Sequence, residues 1–257
     1  MKPIIPTHIV QIRFYAELND FLPAPRRHIE FEHAFEGMPA VRDVVGSLGV
    51  PHPEIDVILV NGISVGLGHR IHDGDRIAVY PVFEALDVGP LQRLRSLPLR
   101  ITRFALDCHL GRLARALRLL GFDASYQRDV RDPDLIAQAR SEGRIILTRD
   151  RELLKARVVT HGIWIRSTNP REQVLQVLDR FDLRARARPF TRCTVCNGEL
   201  AAVYAETVHD EVPPRVWEQP QEYFRCIRCR KVYWRGTHAA RLQEFVDAVL
   251  GPRTASD

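Results

Sequence analysis

Residues 144–153 read RIILTRDREL. The apolar run Ile145, Ile146 and Leu147 gives way at once to Arg149 and Asp150. A short continuous apolar run bounded by turn-forming residues is the pattern of a strand buried on both faces, as in a parallel sheet covered by helices. Its surroundings agree. DLIAQARSEG (134–143) before it and RELLKA (151–156) after it read as helices. Further out, RFALD (103–107) is a short apolar strand, and HLGRLARALRLLGFD (109–123) places Leu110, Leu113, Ala114, Leu117 and Leu120 on one helical face, with Gly121 as its stop. DASYQ (123–127) and GIWIRS (162–167) read as strands, and PREQVLQVLDRF (170–181) as a helix. Alternating strands and helices predict an α/β domain with a parallel sheet and its ligand at the carboxyl ends of the strands.

Asp107 and Asp150 each stand just past the carboxyl end of a predicted strand, on that edge. Asp is also a common turn residue, so the alternative is that these acids only end their strands. Asp134 opens the helix 134–143, where Asp is a common N-cap. Carboxylates gathered in one cleft repel unless protonated or neutralised by cations. Oxygen ligands suit Mg²⁺ or Mn²⁺, and a pair of such ions can activate water and stabilise the leaving oxygen of a phosphodiester. Arg112, Arg115 and Arg118 recur every third residue along the helix 109–123, either as its solvated face or as a stripe that holds phosphates, and Arg149 adjoins Asp150.

Charge is divided unevenly along the 257 residues. Residues 1–88 hold 7 Lys or Arg against 12 Asp or Glu, and residues 89–257 hold 30 against 20, so the formal charge of +5 is the sum of an acidic and a basic part. A polyanion such as RNA is expected on the basic part. All but Lys2, Lys155 and Lys231 of the basic residues are arginines, which a compositional bias explains, but a bias does not explain the segregation. No apolar run approaches the roughly 20 residues of a membrane span, and MKPIIPTHIV lacks a signal-peptide core, so a cytoplasmic protein is expected.

The acidic part reads as two strands, a helix and two strands. VQIRFYAEL (10–18) and RHIEFEHAF (27–35) alternate, MPAVRDVVGSLGV (38–50) has helical spacing, and IDVILVNG (55–62) and RIAVYPV (76–82) flank the turn His72-Asp73-Gly74-Asp75. This order, with VNG followed by DGDRIAVYPV, resembles the β-grasp sulfur-carrier proteins of thiamin and molybdopterin synthesis. Those end in a Gly-Gly whose carboxylate is activated; here the chain continues as PVFEALDVGP. Sulfur transfer is therefore disfavoured, and a ubiquitin-like interaction module with a protein partner is expected. Gly89, Pro90 and Pro98 mark a linker over 85–100.

Four of the five cysteines form two pairs, Cys193-x-x-Cys196 and Cys226-x-x-Cys229. Four thiolates are the ligand set of a closed tetrahedral structural Zn²⁺, and the 29 residues between the pairs leave room for a ribbon. Asn197-Gly198 suits the knuckle turn. Cys108 reads as packing. Tyr233 and Trp234, among the cations of the second knuckle, either stack bases or pack the ribbon against the α/β domain.

Together, FALDCHLGRLARALRLLGFD, DPDLIAQARSEGRIILTRDREL and RCTVCNGEL with FRCIRCRKVYWRGTH resemble the Mut-seven C-terminal ribonuclease family, a PIN-like nuclease fold carrying a zinc ribbon, over residues 100–240. The resemblance implies a ubiquitin-like β-grasp domain over 1–86, a PIN-like domain over 100–186, and a zinc ribbon with a C-terminal helix over 187–250. It further implies a metal-dependent endoribonuclease whose acids are matched by Asp107, Asp134 and Asp150. Such sites commonly use a fourth acid, for which Asp129, Asp132 and Glu152 are candidates, and His238 in WRGTH matches a family motif. The competing expectation is an RNA-binding protein that does not cut.

Overall fold

The computed structural model describes residues 7–81, 102–216, 222–234 and 236–251, the side chains of 215 and 237–239 excepted. The linker expected at 85–100 and the side chain of His238 lie outside these residues. The chain divides into two compact units, residues 1–100 with 148–164, and residues 101–147 with 165–257.

In the first unit β1 (Thr7–Phe14) buries every second residue, Val10, Ile12 and Phe14. It pairs antiparallel with β2 (Glu30–Glu36). The helix α1 (Val41–Ser47) sends Val41, Val44 and Val45 into the core, and β3 (Ile55–Val60) and β4 (Ile63–Ser64) form a hairpin. Next, β5 (Arg76–Pro81) enters the sheet parallel to β1 and antiparallel to β3, giving the order β2-β1-β5-β3-β4. This is the β-grasp expected from the sequence. Two strand ends fall inside the expected limits because of one side chain. Asn19, 2% exposed, donates to the carbonyls of Phe14 and Ala16 and accepts from the His28 amide. Ala16 and His28 both have positive φ, so β1 stops at Phe14 and β2 starts only at Glu30.

The α/β sheet follows the alternation read from the sequence. Its elements are β6 (Arg103–Leu106), α2 (Gly111–Leu119), β7 (Asp123–Tyr126), α3 (Asp132–Glu142), β8 (Ile145–Thr148), α4 (Arg151–Lys155), β9 (Gly162–Trp164) and α5 (Pro170–Arg180). The strand order is β7-β6-β8-β9, with β6 parallel to both β7 and β8. All four residues of β8 are buried, as its unbroken apolar run requires. Gly121 turns the chain after α2 with φ +90°, and a Cβ there would lie 2.2 Å from the Arg188 carbonyl oxygen, so only glycine fits. The ribbon consists of β10 (Leu200–Val203), β11 (Tyr223–Cys226) and β12 (Val232–Trp234), antiparallel in that order, and α6 (Thr237–Leu250) closes the described chain.

Candidate functional site

The two knuckles bring Cys193, Cys196, Cys226 and Cys229 together with their sulfurs all within 4.8 Å of one another. The Cys193–Cys229 and Cys196–Cys226 sulfurs are 3.7 and 3.4 Å apart. A tetrahedron with Zn–S bonds of roughly 2.3 Å has edges of roughly 3.8 Å, so the spacing fits that ion. Amides of Cys196, Arg228 and Cys229 point at the sulfurs at 3.4 Å. Gly198 leaves the space this needs: a Cβ there would sit 2.8 Å from the Cys226 sulfur. Burial pushes the Cys193 thiol up, but hydrogen bonds from Tyr233 and from the amides of Cys196 and Val195 outweigh it and bring the thiol down to about 6. Tyr233 thus serves the sulfur, with its hydroxyl at 3.0 Å, and Trp234 packs on the ribbon's own core around Val208, Val212 and Tyr223.

The first knuckle is tied to β7. Arg118, 4% exposed, donates through Nε to the Ala124 carbonyl and through Nη1 to those of Thr194 and Val195. Asn197 accepts from the Ala124 amide and donates to Asp123, which also pairs with Arg144 at 2.6 Å. Burial pushes the Asp123 carboxyl up, yet the hydrogen bonds from Arg144 and Asn197 prevail and hold it below the usual range. Arg118 is therefore an internal brace. The phosphate-holding role expected from its spacing is not open to a side chain spent on three carbonyls.

Asp107 is 5% exposed at the carboxyl end of β6. Its amide donates to the Leu147 carbonyl at 3.1 Å, and its Oδ1 accepts from the His109 amide at 2.8 Å, which starts the turn into α2. Asp150, exposed, follows the end of β8 by two residues and caps α4, its Oδ1 accepting from the Glu152 amide at 2.8 Å. Both acids thus cap a helix and stand at the sheet edge at once. Asp134 differs. It lies exposed in the first turn of α3 and pairs with Arg131 at 2.9 Å, and the N-cap is Arg131 rather than Asp134. Among the described residues, the one group of three or more His, Cys, Asp or Glu side chains with clustered ligand atoms is the four cysteines, so Asp107, Asp134 and Asp150 are not in it. Of the candidate fourth acids, Glu152 pairs with Lys155 at 2.7 Å, and Asp132 is the first residue of α3.

Next to Asp107 in sequence, a cleft of about 760 Å³ opens over the start of α2, its wall including His109, Arg112, Arg115, Tyr126, Arg128 and Asp129. Arg112, Arg115 and Arg128 are exposed. Tyr126 donates to the Cys108 carbonyl at 3.0 Å and packs over Gly111, where a Cβ would meet its hydroxyl at 2.8 Å. Tyr126 and Arg128 were absent from the sequence-based candidates. They stand at the carboxyl end of β7, so the rule that singled out Asp107 applies to them equally. Arg149, half-buried, accepts through its carbonyl from the Trp164 indole at 3.2 Å.

No helix among the described residues is long and apolar enough to cross a membrane. Residues 7–87 match the Mut7-C ubiquitin family and residues 102–246 the Mut7-C RNAse domain. The human Exonuclease mut-7 homolog is 34% identical over 143 residues, which cover 53% of this chain and 16% of that protein. Among solved structures, the chain is similar to the crystal structure of SAMP1 from Haloferax volcanii, at 20% identity over 30% of this chain and 99% of that one, with a TM-score of 0.24. With its cysteine cluster, its parallel sheet and a family match over more than half its length, the chain belongs to the Mut7-C RNAse domain family, preceded by a ubiquitin-like domain of the Mut7-C type.

Proposed function

We propose that the protein is a metal-dependent ribonuclease in which Asp107, Asp134 and Asp150 carry the chemistry. The observation that supports this most is the placement of Asp107, a nearly buried carboxylate at the strand edge, immediately before a cleft walled by arginines. Carboxylates suit Mg²⁺ or Mn²⁺, which when bound activate water and stabilise the leaving oxygen of a phosphodiester. Arg112, Arg115 and Arg128 hold RNA phosphates in this cleft, Arg149 is proposed as a further phosphate contact on its own, and Asp129 in the cleft wall is the favoured fourth acid. Zn²⁺ on Cys193, Cys196, Cys226 and Cys229 is structural, since four protein ligands leave no open position. In this reading residues 1–86 form the ubiquitin-like domain, 100–186 the nuclease domain, and 187–250 the ribbon and last helix. In this reading the protein is cytoplasmic, a compartment that keeps the four thiols reduced for zinc.

Incubating the full chain with single-stranded RNA tests this. Cleavage that needs Mn²⁺ or Mg²⁺ and stops with EDTA is expected; cleavage indifferent to EDTA overturns the metal, and none under any condition overturns the enzyme. A second reading, RNA binding without cleavage, is favoured by the pairing of Asp134 with Arg131 in solvent. It predicts RNA retention with no products.

A further inference from the structure

The turn that carries Asp150 is gripped on both sides by one residue, Trp164. On one side the Trp164 indole donates to the Arg149 carbonyl at 3.2 Å. On the other, the Arg151 guanidinium lies 3.7 Å from the centre of the Trp164 ring and 5.2 Å from that of Phe21. Arg151 also reaches the Asp20 carbonyl at 3.4 Å. Trp164 is itself fastened to the ubiquitin-like domain. Its amide donates to Glu54, which is 1% exposed, its ring meets Phe21 at 5.3 Å, and it packs on the core that holds Val10, Ile12 and Ile58. All these residues belong to one compact unit.

Asp150 needs such support. The helix it caps, α4, has only five residues, far fewer than an isolated helix requires to hold its shape in water. A guanidinium laid over an indole face, with a second ring alongside, is a planar, oriented contact that an ammonium does not reproduce. We infer that the ubiquitin-like domain takes this chain's own segment 149–164 as its partner, and that Arg151, laid over Trp164 with Phe21 alongside, is a positioning residue for Asp150. This rests on the reading of Asp150 as a reacting acid. It gives the β-grasp domain a task inside the chain: to hold the catalytic turn in shape.

The test compares the full-length wild type with Arg151→Ala and Arg151→Lys, by amide exchange over residues 148–156 and by steady-state RNA cleavage across a Mn²⁺ series. Loss of a half-buried cation–π contact is expected to speed exchange in that segment roughly tenfold, with Lys between Ala and wild type. Exchange in β1–β5 and zinc content stay as in wild type. kcat falls by a similar factor, more Mn²⁺ is needed, and KM for RNA changes less than about twofold, because a residue that only positions the acid does not bind substrate. A rise in KM with exchange unchanged makes Arg151 an RNA contact and overturns the inference, as does faster exchange with kcat unchanged. If Arg151→Ala unfolds, Arg151→Lys alone decides by the same criteria. If the wild type cuts no RNA, the ribonuclease reading fails, and the exchange experiment still decides whether the clamp orders the turn.

Discussion

Asn197 donates its Nδ2 to the Oδ1 of Asp123 at 2.7 Å, so the residue after Cys196 is bonded to the first residue of β7. The same amide accepts from Ala124, and Arg118 reaches across to the knuckle from α2. The ribbon is thereby built onto the parallel sheet. Asn also suits the backbone, since position 197 has φ +69°.

Asn197→Ala should lower the stability of the second unit by about 2–4 kcal/mol, through two lost hydrogen bonds and a strained left-handed backbone. Asn197→Gly keeps the backbone relaxed and should cost about 1 kcal/mol less. Thermal melts of the two variants separate the terms, and equal losses would show that backbone strain contributes nothing.

Removing the metal should loosen the ribbon before the rest. One equivalent of zinc by elemental analysis is expected, and a strong chelator should expose the amides of β10–β12 to exchange while β1–β5 keep their protection. Well under half an equivalent in protein purified without chelator, with all thiols reduced, counts against a zinc site.

The arginines of α2 should separate into two kinds. Arg112→Ala and Arg115→Ala are expected to leave stability within about 0.5 kcal/mol of wild type while each lowers the salt dependence of RNA binding by roughly one released counterion. Arg118→Ala strands three carbonyl acceptors and should cost roughly 2–4 kcal/mol. Melting curves with a salt titration of RNA affinity read both quantities. A salt slope unchanged in Arg112→Ala and Arg115→Ala would take the cleft out of RNA binding.

Asp123 should make the second unit sensitive to acid. Its folded pKa is depressed, so its contribution is present above the ordinary carboxylate value, near 4, and is lost as pH falls through the folded value. Asp123→Asn should melt lower than wild type at pH 7, and the gap should close below about pH 4. The four cysteines are the same in both proteins, so whatever they contribute cancels in the difference. A gap that stays constant into acid would remove Asp123 as its source.

Local pattern was enough to read the strands and helices of the parallel sheet. The unbroken run at 145–147 predicts a strand buried on both faces, and the structure buries all of β8. Arg118 was misread for a geometric reason. At about 100° per residue, each three-residue step turns back about 60°, so the row that starts exposed at Arg112 is buried by its third member. The turn at Asn19 and the clamp on Arg151 were invisible because their partners lie far off in sequence, and no periodicity links Phe21 to Trp164. A strand-ending turn residue and an edge carboxylate read as alternatives for Asp150, but in the structure it caps α4 with one of its two oxygens and stands at the edge as well.

The rate of RNA cleavage by Asp150→Asn in saturating Mn²⁺ tests the central claim most directly. Asn preserves the cap acceptor, so the fold and zinc content should match wild type, while loss of the charge should lower the rate at least about 100-fold. A correctly folded Asp150→Asn that cleaves within twofold of wild type would contradict the account and leave Asp150 as the cap of a five-residue helix.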